Sequence, residues 1–488
     1  MAGRQRTFSA SLALVAALAA CGGGGGGNPP PDNGGGATPP PVSTPPPAAP
    51  AACSLRGRQD WALAQIQEHH LFPELLATNV NPDSYSDVQS YIDALVAPAR
   101  AQNKDRIFTY ISPLADDIAF LTTGSGAGFG MRLANDVASG RVFIAEAFEG
   151  GPALGANIDR GTELLAIGPT LAELRTVSSI LATEGEAGVF AALGPATAGL
   201  ARVVRVRDPN GTTRDVTLVK ATYTLDPVSD RYGALILNDG GKKVGYVNFR
   251  TFIGAPAEAD LRAAFAQFKA QGVTEVIVDL RYNGGGLINT AVLFANLLLG
   301  NRSPSDVVLS RMFRPSKSAN NNSAFFAPQP ESIVATKVAF IGTGSTASSS
   351  EMLMNAVLPY LGANAALIGS NTFGKPVGQV FLDRPACDDR LRVIAFAVTD
   401  KNGQSDYFNG IASRFQSTCA AADEVTRPFG DPQEASIRTA LDFLAGRKCT
   451  PIGGGAAAQS LSVKGEGAPK LMSPARPSGS ERDLPGAF

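Results

Sequence analysis

The chain has 488 residues, 44% hydrophobic and 17% charged, with a formal net charge of −1. So balanced a charge lacks the basic footprint of a nucleic-acid-binding protein. With only His69 and His70 present, and no cysteine pair at zinc spacing, a His-rich or Cys-rich zinc site is excluded.

At the N-terminus, Arg4 and Arg6 precede an apolar run over residues 12–20 that ends Leu18-Ala19-Ala20-Cys21. The run is too short to cross a bilayer and reads as a secretory signal. A cysteine directly after two small residues resembles a bacterial lipoprotein cleavage box. That resemblance implies removal of residues 1–20 and diacylation of Cys21. It places the chain in the cell envelope, lipid-anchored on the periplasmic side or the surface of the outer membrane. Residues 21–52 are dominated by Gly, Pro and Ala and form a spacer that cannot bury a core.

Residues 53–115 read as helical. A helix over 60–70 carries Trp61, Leu63 and Ile66 with both histidines, which suits packing or surface roles for His69 and His70. Val88, Tyr91, Ile92 and Leu95 have helical spacing, and Pro98 marks the predicted end of that helix. Residues 116–225 change to short alternating runs, such as 141–145 and 201–206, with a hairpin turn at Asp208-Pro209-Asn210-Gly211.

Residues 226–450 alternate strands and helices, the pattern of a layered α/β fold. A strand over 244–249 leads to a helix over 256–271, with Leu261, Ala264, Phe265 and Phe268 on one face. A buried strand over 275–280 precedes a helix over 290–299. A strand over 338–341 precedes a helix that begins at 351. Asp431-Pro432-Gln433-Glu434 reads as a capping box opening a last helix. Residues 451–488 read as a disordered tail. Setting Cys21 aside, four cysteines remain, an even number that predicts two disulfides in an exported protein. Four cysteines allow three pairings. Those expected are Cys53–Cys449, stapling the ends of the folded region, and Cys387–Cys419.

Three turns carry candidate chemistry. Asp279-Leu280-Arg281-Tyr282-Asn283-Gly284-Gly285-Gly286 follows a buried strand, and its glycines free backbone N–H groups to face an oxyanion. Gly344-Ser345-Thr346-Ala347-Ser348-Ser349-Ser350-Glu351 sets a hydroxyl at a helix N-terminus, where the dipole stabilises developing negative charge. Asn371-Thr372-Phe373-Gly374-Lys375 offers a lysine that becomes a base near neutral pH if desolvated.

In this order the three turns resemble those of the carboxy-terminal processing, or tail-specific, serine peptidases. The resemblance covers roughly residues 55–450. It implies a crotonase/ClpP-like layered α/β core with an inserted PDZ-like domain, and a serine endopeptidase that acts on exported proteins or peptides near their C-termini. It assigns Ser348 as nucleophile, Lys375 as base, Gln379 as its support and Glu351 as the acidic residue one helical turn after the nucleophile. The backbone N–H groups of Ser349 and of Gly285 or Gly286 would form the oxyanion hole. Gly128-Phe129-Gly130-Met131 resembles the carboxylate-binding loop of a PDZ domain, which takes an extended peptide on a sheet edge. No metal or cofactor is implied. Protein or peptide substrates and the membrane are the expected partners. Thr346 and Ser349 replace a usual Ser and Ala, and Pro376 stands where Gly is common. The alternative reading is a lipid-anchored peptide-binding scaffold with an inactive core, against which Ser348, Lys375 and Gln379 argue. A hydratase-like enzyme is a third reading, disfavoured by the missing acyl-cofactor site.

Overall fold

The computed structural model describes residues 51–453, 469–474 and 477–487. Cys21, the signal and the spacer lie outside these residues. Among the described residues, no helix is long and apolar enough to cross a membrane. They form a mixed α/β fold with three larger sheets and a two-stranded ribbon.

The central sheet has six strands, ordered Ala234–Asp239, Lys242–Asn248, Glu275–Asp279, Lys337–Gly342, Ala365–Gly369 and Ser417–Ala420. The first pair is antiparallel and the rest are parallel. Glu275–Asp279 and Ala365–Gly369 are buried at every position, as parallel strands covered on both faces must be. Alternation sends Val276, Val278, Phe340 and Leu367 to one face, under helices Pro256–Ala270, Ile288–Leu298 and Ser349–Leu361. Ile277, Ala339, Ile341 and Ile368 go to the other, under Ala435–Leu444. The strand ends that carry the two candidate turns, after Asp279 and after Gly342, are therefore neighbours on one edge of the sheet.

A five-stranded antiparallel sheet joins Tyr110–Pro113, Asp389–Thr399, Val307–Phe313, Asn322–Phe325 and Val377–Arg384. Helices Leu55–His69 and Val88–Leu95 pack on it through Ile66, Tyr91, Ile92 and Val393. A seven-stranded sheet contains Met131–Asp136, Arg141–Ala147, Glu163–Gly168, Ala201–Arg207 and Thr213–Val219, covered by the helix Val177–Leu193. The ribbon of Ser125–Gly128 and Ala221–Thr224 closes the two ends of this β-rich module.

Several expectations are corrected. Pro98 does not end a helix. The helix Val88–Leu95 stops first, and Pro98 sits in the first turn of a separate helix, Ala97–Ala101, where its missing N–H is harmless. Asp431 does not cap the last helix. Glu434 does, its side chain accepting the Ile437 N–H at 3.0 Å, so the helix starts three residues later. The disulfides are Cys53–Cys387 and Cys419–Cys449, not the expected pairs. Cys53 precedes a helix that lies on the sheet from which Cys387 turns, whereas Cys419 lies within the strand Ser417–Ala420, beside the chain that leaves the last helix. The described part of the tail is ordered, against the expectation of a disordered tail. Lys470–Leu471 adds a strand to Met131–Asp136, and Gly479–Asp483 forms a short helix with Asp483 and Leu484 buried.

Candidate active site

The glycine turn and the serine turn are locked to each other by main-chain and hydroxyl bonds. The Ala347 N–H donates to Asn283 O at 3.0 Å, Ser350 Oγ donates to the same oxygen at 3.1 Å, and Thr346 Oγ1 donates to Leu280 O at 2.8 Å. Ser349 Oγ donates to Gly286 O at 2.7 Å. The approach is close. A Cβ on Gly285 would lie 2.7 Å from Ser348 Cβ, so only glycine fits, and its φ of +114° independently requires it.

Ser348 is 8% exposed and sits just before the helix Ser349–Leu361 with φ +55° and ψ −118°. A non-glycine residue held at this positive φ marks a tight, strained turn at the helix N-terminus. Of the two glycine N–H groups, that of Gly285 is taken by Asn283 Oδ1 at 2.9 Å. No acceptor among the described residues engages that of Gly286. The Ser349 N–H is one of the first N–H groups of its helix, which have no intrahelical partner.

Lys375 reaches the same cavity from the loop before the strand Val377–Arg384. Its Nζ donates to Gln379 Oε1 at 2.9 Å, and Gln379 Nε2 donates to Phe108 O, which fixes the amide orientation. Burial pushes the Lys375 ammonium down from 10.5 to about 8. Asp483 opposes this shift, while Arg392 and Arg482 add to it. Ser348, Gly286, Lys375 and Gln379 all line one cavity of about 310 Å³, with Ile253, Leu287, Met352, Val377 and Phe396 as apolar walls and Asp483 beside them.

Glu351 is fully buried and takes four donors: the N–H groups of Ser348, Gly374 and Lys375, and the hydroxyl of Thr372. Burial pushes its carboxyl up to about 7, and the four donors hold it below where burial alone would. It does not line the cavity with Lys375. It ties the backbone of the serine turn to the backbone of the lysine loop.

The remaining predicted positions fall elsewhere. Phe129 and Met131 are buried in the core of the β-rich module, Gly130 adopts φ +72°, and the carbonyls of Phe129 and Gly130 accept from Ala153 and Phe148. These four residues are thus joined to the 148–153 turn, away from the Ser348 cavity. His70 is buried with its Nε2 3.0 Å from Asp105, a packing role.

Three contributions escaped sequence reading. Asn283 orients the glycine turn through both ends of its amide, also donating to Phe249 O at 2.8 Å. Arg281 is fully buried against Asp279, Asp423 and Glu434, which anchors the same turn. Arg132 joins the module to the turn, donating to Glu146 and to Tyr282 O at 3.2 Å. An Arg and an Asn inside a strand-to-turn run of apolar residues and glycines were the available signal. Asp483 had none.

The arrangement can be compared with known proteins. Residues 243–415 match the model of peptidase family S41. That segment belongs to peptidase family S41. The span includes the glycine turn, Ser348, Lys375 and Gln379. The chain is 28% identical over 317 residues to the C-terminal processing peptidase of the chloroplast of Tetradesmus obliquus, covering 60% of this chain and 64% of that one. It is 26% identical over 266 residues to the carboxyl-terminal-processing protease of a Picosynechococcus species, covering 54% and 58%. It therefore spans about three-fifths of these curated relatives. A Bacteroides fragilis structure assigned to the S41 proteases superposes with a TM-score of 0.61 at 21% identity, covering 79% of this chain and 97% of that one. This likeness is one of fold.

Proposed function

We propose that the chain is a serine endopeptidase in which Ser348 attacks and Lys375 serves as base. The carrying observation is that Ser348 and a desolvated Lys375 share one cavity beside a free glycine N–H. Near neutral pH a fraction of Lys375 is uncharged and accepts the Ser348 proton as the oxygen attacks a peptide carbonyl. The tetrahedral oxyanion is held by the N–H groups of Ser349 and Gly286. Lys375 then returns the proton to the leaving amine, and water releases the acyl-enzyme. Gln379 holds the ammonium in place without adding a negative charge that would keep it protonated. Glu351 is a positioning residue that acts through the backbone of both loops.

The layered sheet with helices on both faces suits a crotonase/ClpP-like core, and the β-rich module suits a PDZ-like domain. The substrates would be exported proteins or peptides engaged near their C-termini, met by a chain lipidated at Cys21 in the cell envelope. Two disulfides agree with an oxidising compartment. The test is an active-site serine probe followed by mapping of the modified residue. Labelling of Ser348, lost in Ser348→Ala and in Lys375→Ala, is expected. Equal labelling of the parent and Ser348→Ala would overturn the assignment.

A further inference from the structure

The tail does not pass at random over the molecule. Lys470 and Leu471 pair antiparallel with Asn135 and Ala134, and the Met472 N–H donates to Leu133 O at 2.9 Å. Arg132 then bridges to Ala487. The tail covers the outer edge of the strand Met131–Asp136, an edge otherwise free to take an extended peptide. Side chains are gripped on both faces. Met472 is fully buried in the module core with Leu133, while Leu471 packs on the opposite face with Ala134 and Tyr282.

The second stretch continues to the glycine turn. The Gly284 N–H donates to Asp483 O at 3.2 Å, and a Cβ on Gly284 would lie 2.4 Å from Arg482 O. Arg482 Nη1 donates to Ile107 O, and Arg132 Nε donates to Pro485 O at 3.1 Å. Leu484 packs on Phe148 of the module and Ile253 of the core. The Asp483 carboxylate stands in the wall of the cavity that holds Ser348 and Lys375. A structural strap would need the edge pairing alone. This segment also contributes Asp483 to the wall of the cavity that holds Ser348. It does so as a capped helical turn, with Ser478 and Glu481 bonded to each other's N–H groups, and not as an extended backbone open to attack.

We propose that residues 469–474 and 477–487 act as an internal pseudosubstrate: Lys470 to Met472 occupy the peptide-binding edge, and 479–487 places Asp483 in the wall of the Ser348 cavity, so an external peptide binds only when these residues leave. The inference rests on the peptidase reading for its consequence, although not for its geometry. Asp483 supports it, since its negative charge favours the ammonium form of Lys375, the form that cannot accept a proton. The external ligand that fits is an extended segment with an apolar side chain at the Met472 position and a neighbour that tolerates Tyr282 and Phe143 on the other face.

The test uses full-length protein carrying Ser348→Ala, so that binding is read without cleavage. The probe is a fluorescent peptide of residues 469–474. Met472→Asp places a charge in the module core and releases the tail. A tethered competitor at millimolar effective concentration weakens an external ligand by at least about tenfold, so Met472→Asp should bind the peptide at least about tenfold more tightly than its parent. A second variant pair, Ala134→Cys with Leu471→Cys, locks the tail, because these residues oppose each other in a pair without mutual hydrogen bonds and have close Cβ atoms. Its oxidised form should not bind the peptide, and reduction should restore binding to the level of an identically reduced parent. Equal affinity for parent, released and locked proteins would overturn the inference. The peptidase reading is judged separately: with Ser348 intact, released protein that binds the peptide yet cleaves nothing refutes that reading alone, and a peptidase with unchanged KM in Met472→Asp refutes the pseudosubstrate alone.

Discussion

Ser348 and Lys375 donate their main-chain N–H groups to one and the same atom, Glu351 Oε2, at 3.0 and 2.8 Å. The proposed nucleophile and base are thus positioned by a shared acceptor, and their separation depends on a side chain that holds both through the main chain.

Glu351→Gln keeps one oxygen but turns the other into a donor facing the Gly374 N–H. The cost should be about 1–3 kcal/mol, the penalty of one buried unsatisfied donor, with turnover falling because the lysine loop loosens. Its folded carboxyl is raised from 4.5 to about 7. The stability it contributes is therefore full below pH 4.5 and lost as pH rises through 7. Denaturant unfolding at pH 5 and pH 8 should show a fall in the parent that Glu351→Gln lessens. The same fall with pH in Glu351→Gln would contradict the assignment of that pH dependence to Glu351.

As the proposed base Lys375 must be neutral to act, and burial pushes its ammonium down to about 8. Peptide turnover should rise with pH through that value and then level off. Gln379→Glu sets a carboxylate where the amide oxygen lies 2.9 Å from Nζ, so the charged lysine gains a partner and the midpoint moves to higher pH. A pH–rate profile of both proteins checks this. A midpoint that stays or falls would remove Gln379 from its assigned place.

Gly285→Ala should abolish labelling by a serine probe while leaving the fold largely intact. The added methyl would lie 2.7 Å from Ser348 Cβ and 2.9 Å from the Ser349 nitrogen, in a backbone conformation with φ +114°. The measurement is probe labelling beside a circular dichroism melt. Full labelling would show that the turns can separate without loss.

What the sequence makes legible follows from where the interactions lie. The strands over 275–280 and 338–341 are apolar throughout because both faces are covered, and their helices follow within a few residues. The glycine, serine and lysine turns therefore come out in the right places, and Ser348, Lys375 and Gln379 do converge. Tyr110–Pro113 was hidden in a helical stretch because its partner, Asp389–Thr399, lies far along the chain, and nothing local sets such a register. The tail was hidden for a similar reason. Its Gly/Ala/Pro-rich composition conceals a short anchor, the edge strand Lys470–Leu471 followed by the buried Met472, which depends on the distant sheet it joins. Between Gly285 and Gly286 the sequence could not choose, because the choice is made by the Asn283 side chain.

The disulfides Cys53–Cys387 and Cys419–Cys449 make a further prediction. Mass mapping of a non-reduced digest should recover these two cross-linked peptides. Cys387→Ser should destabilise the protein by about 2–5 kcal/mol, because the loop it opens spans most of the folded chain. Recovery of Cys53 joined to Cys449 would contradict the structure.

The most direct test of the Ser348–Lys375 assignment is turnover of one unstructured peptide by Lys375→Arg across the pH range in which it stays folded. An arginine fills the same space and keeps a donor for Gln379, yet it stays protonated at any workable pH and cannot take the Ser348 proton. The account predicts no turnover at any pH, with the parent rising through about 8 in parallel. Activity in Lys375→Arg would contradict it and require another base.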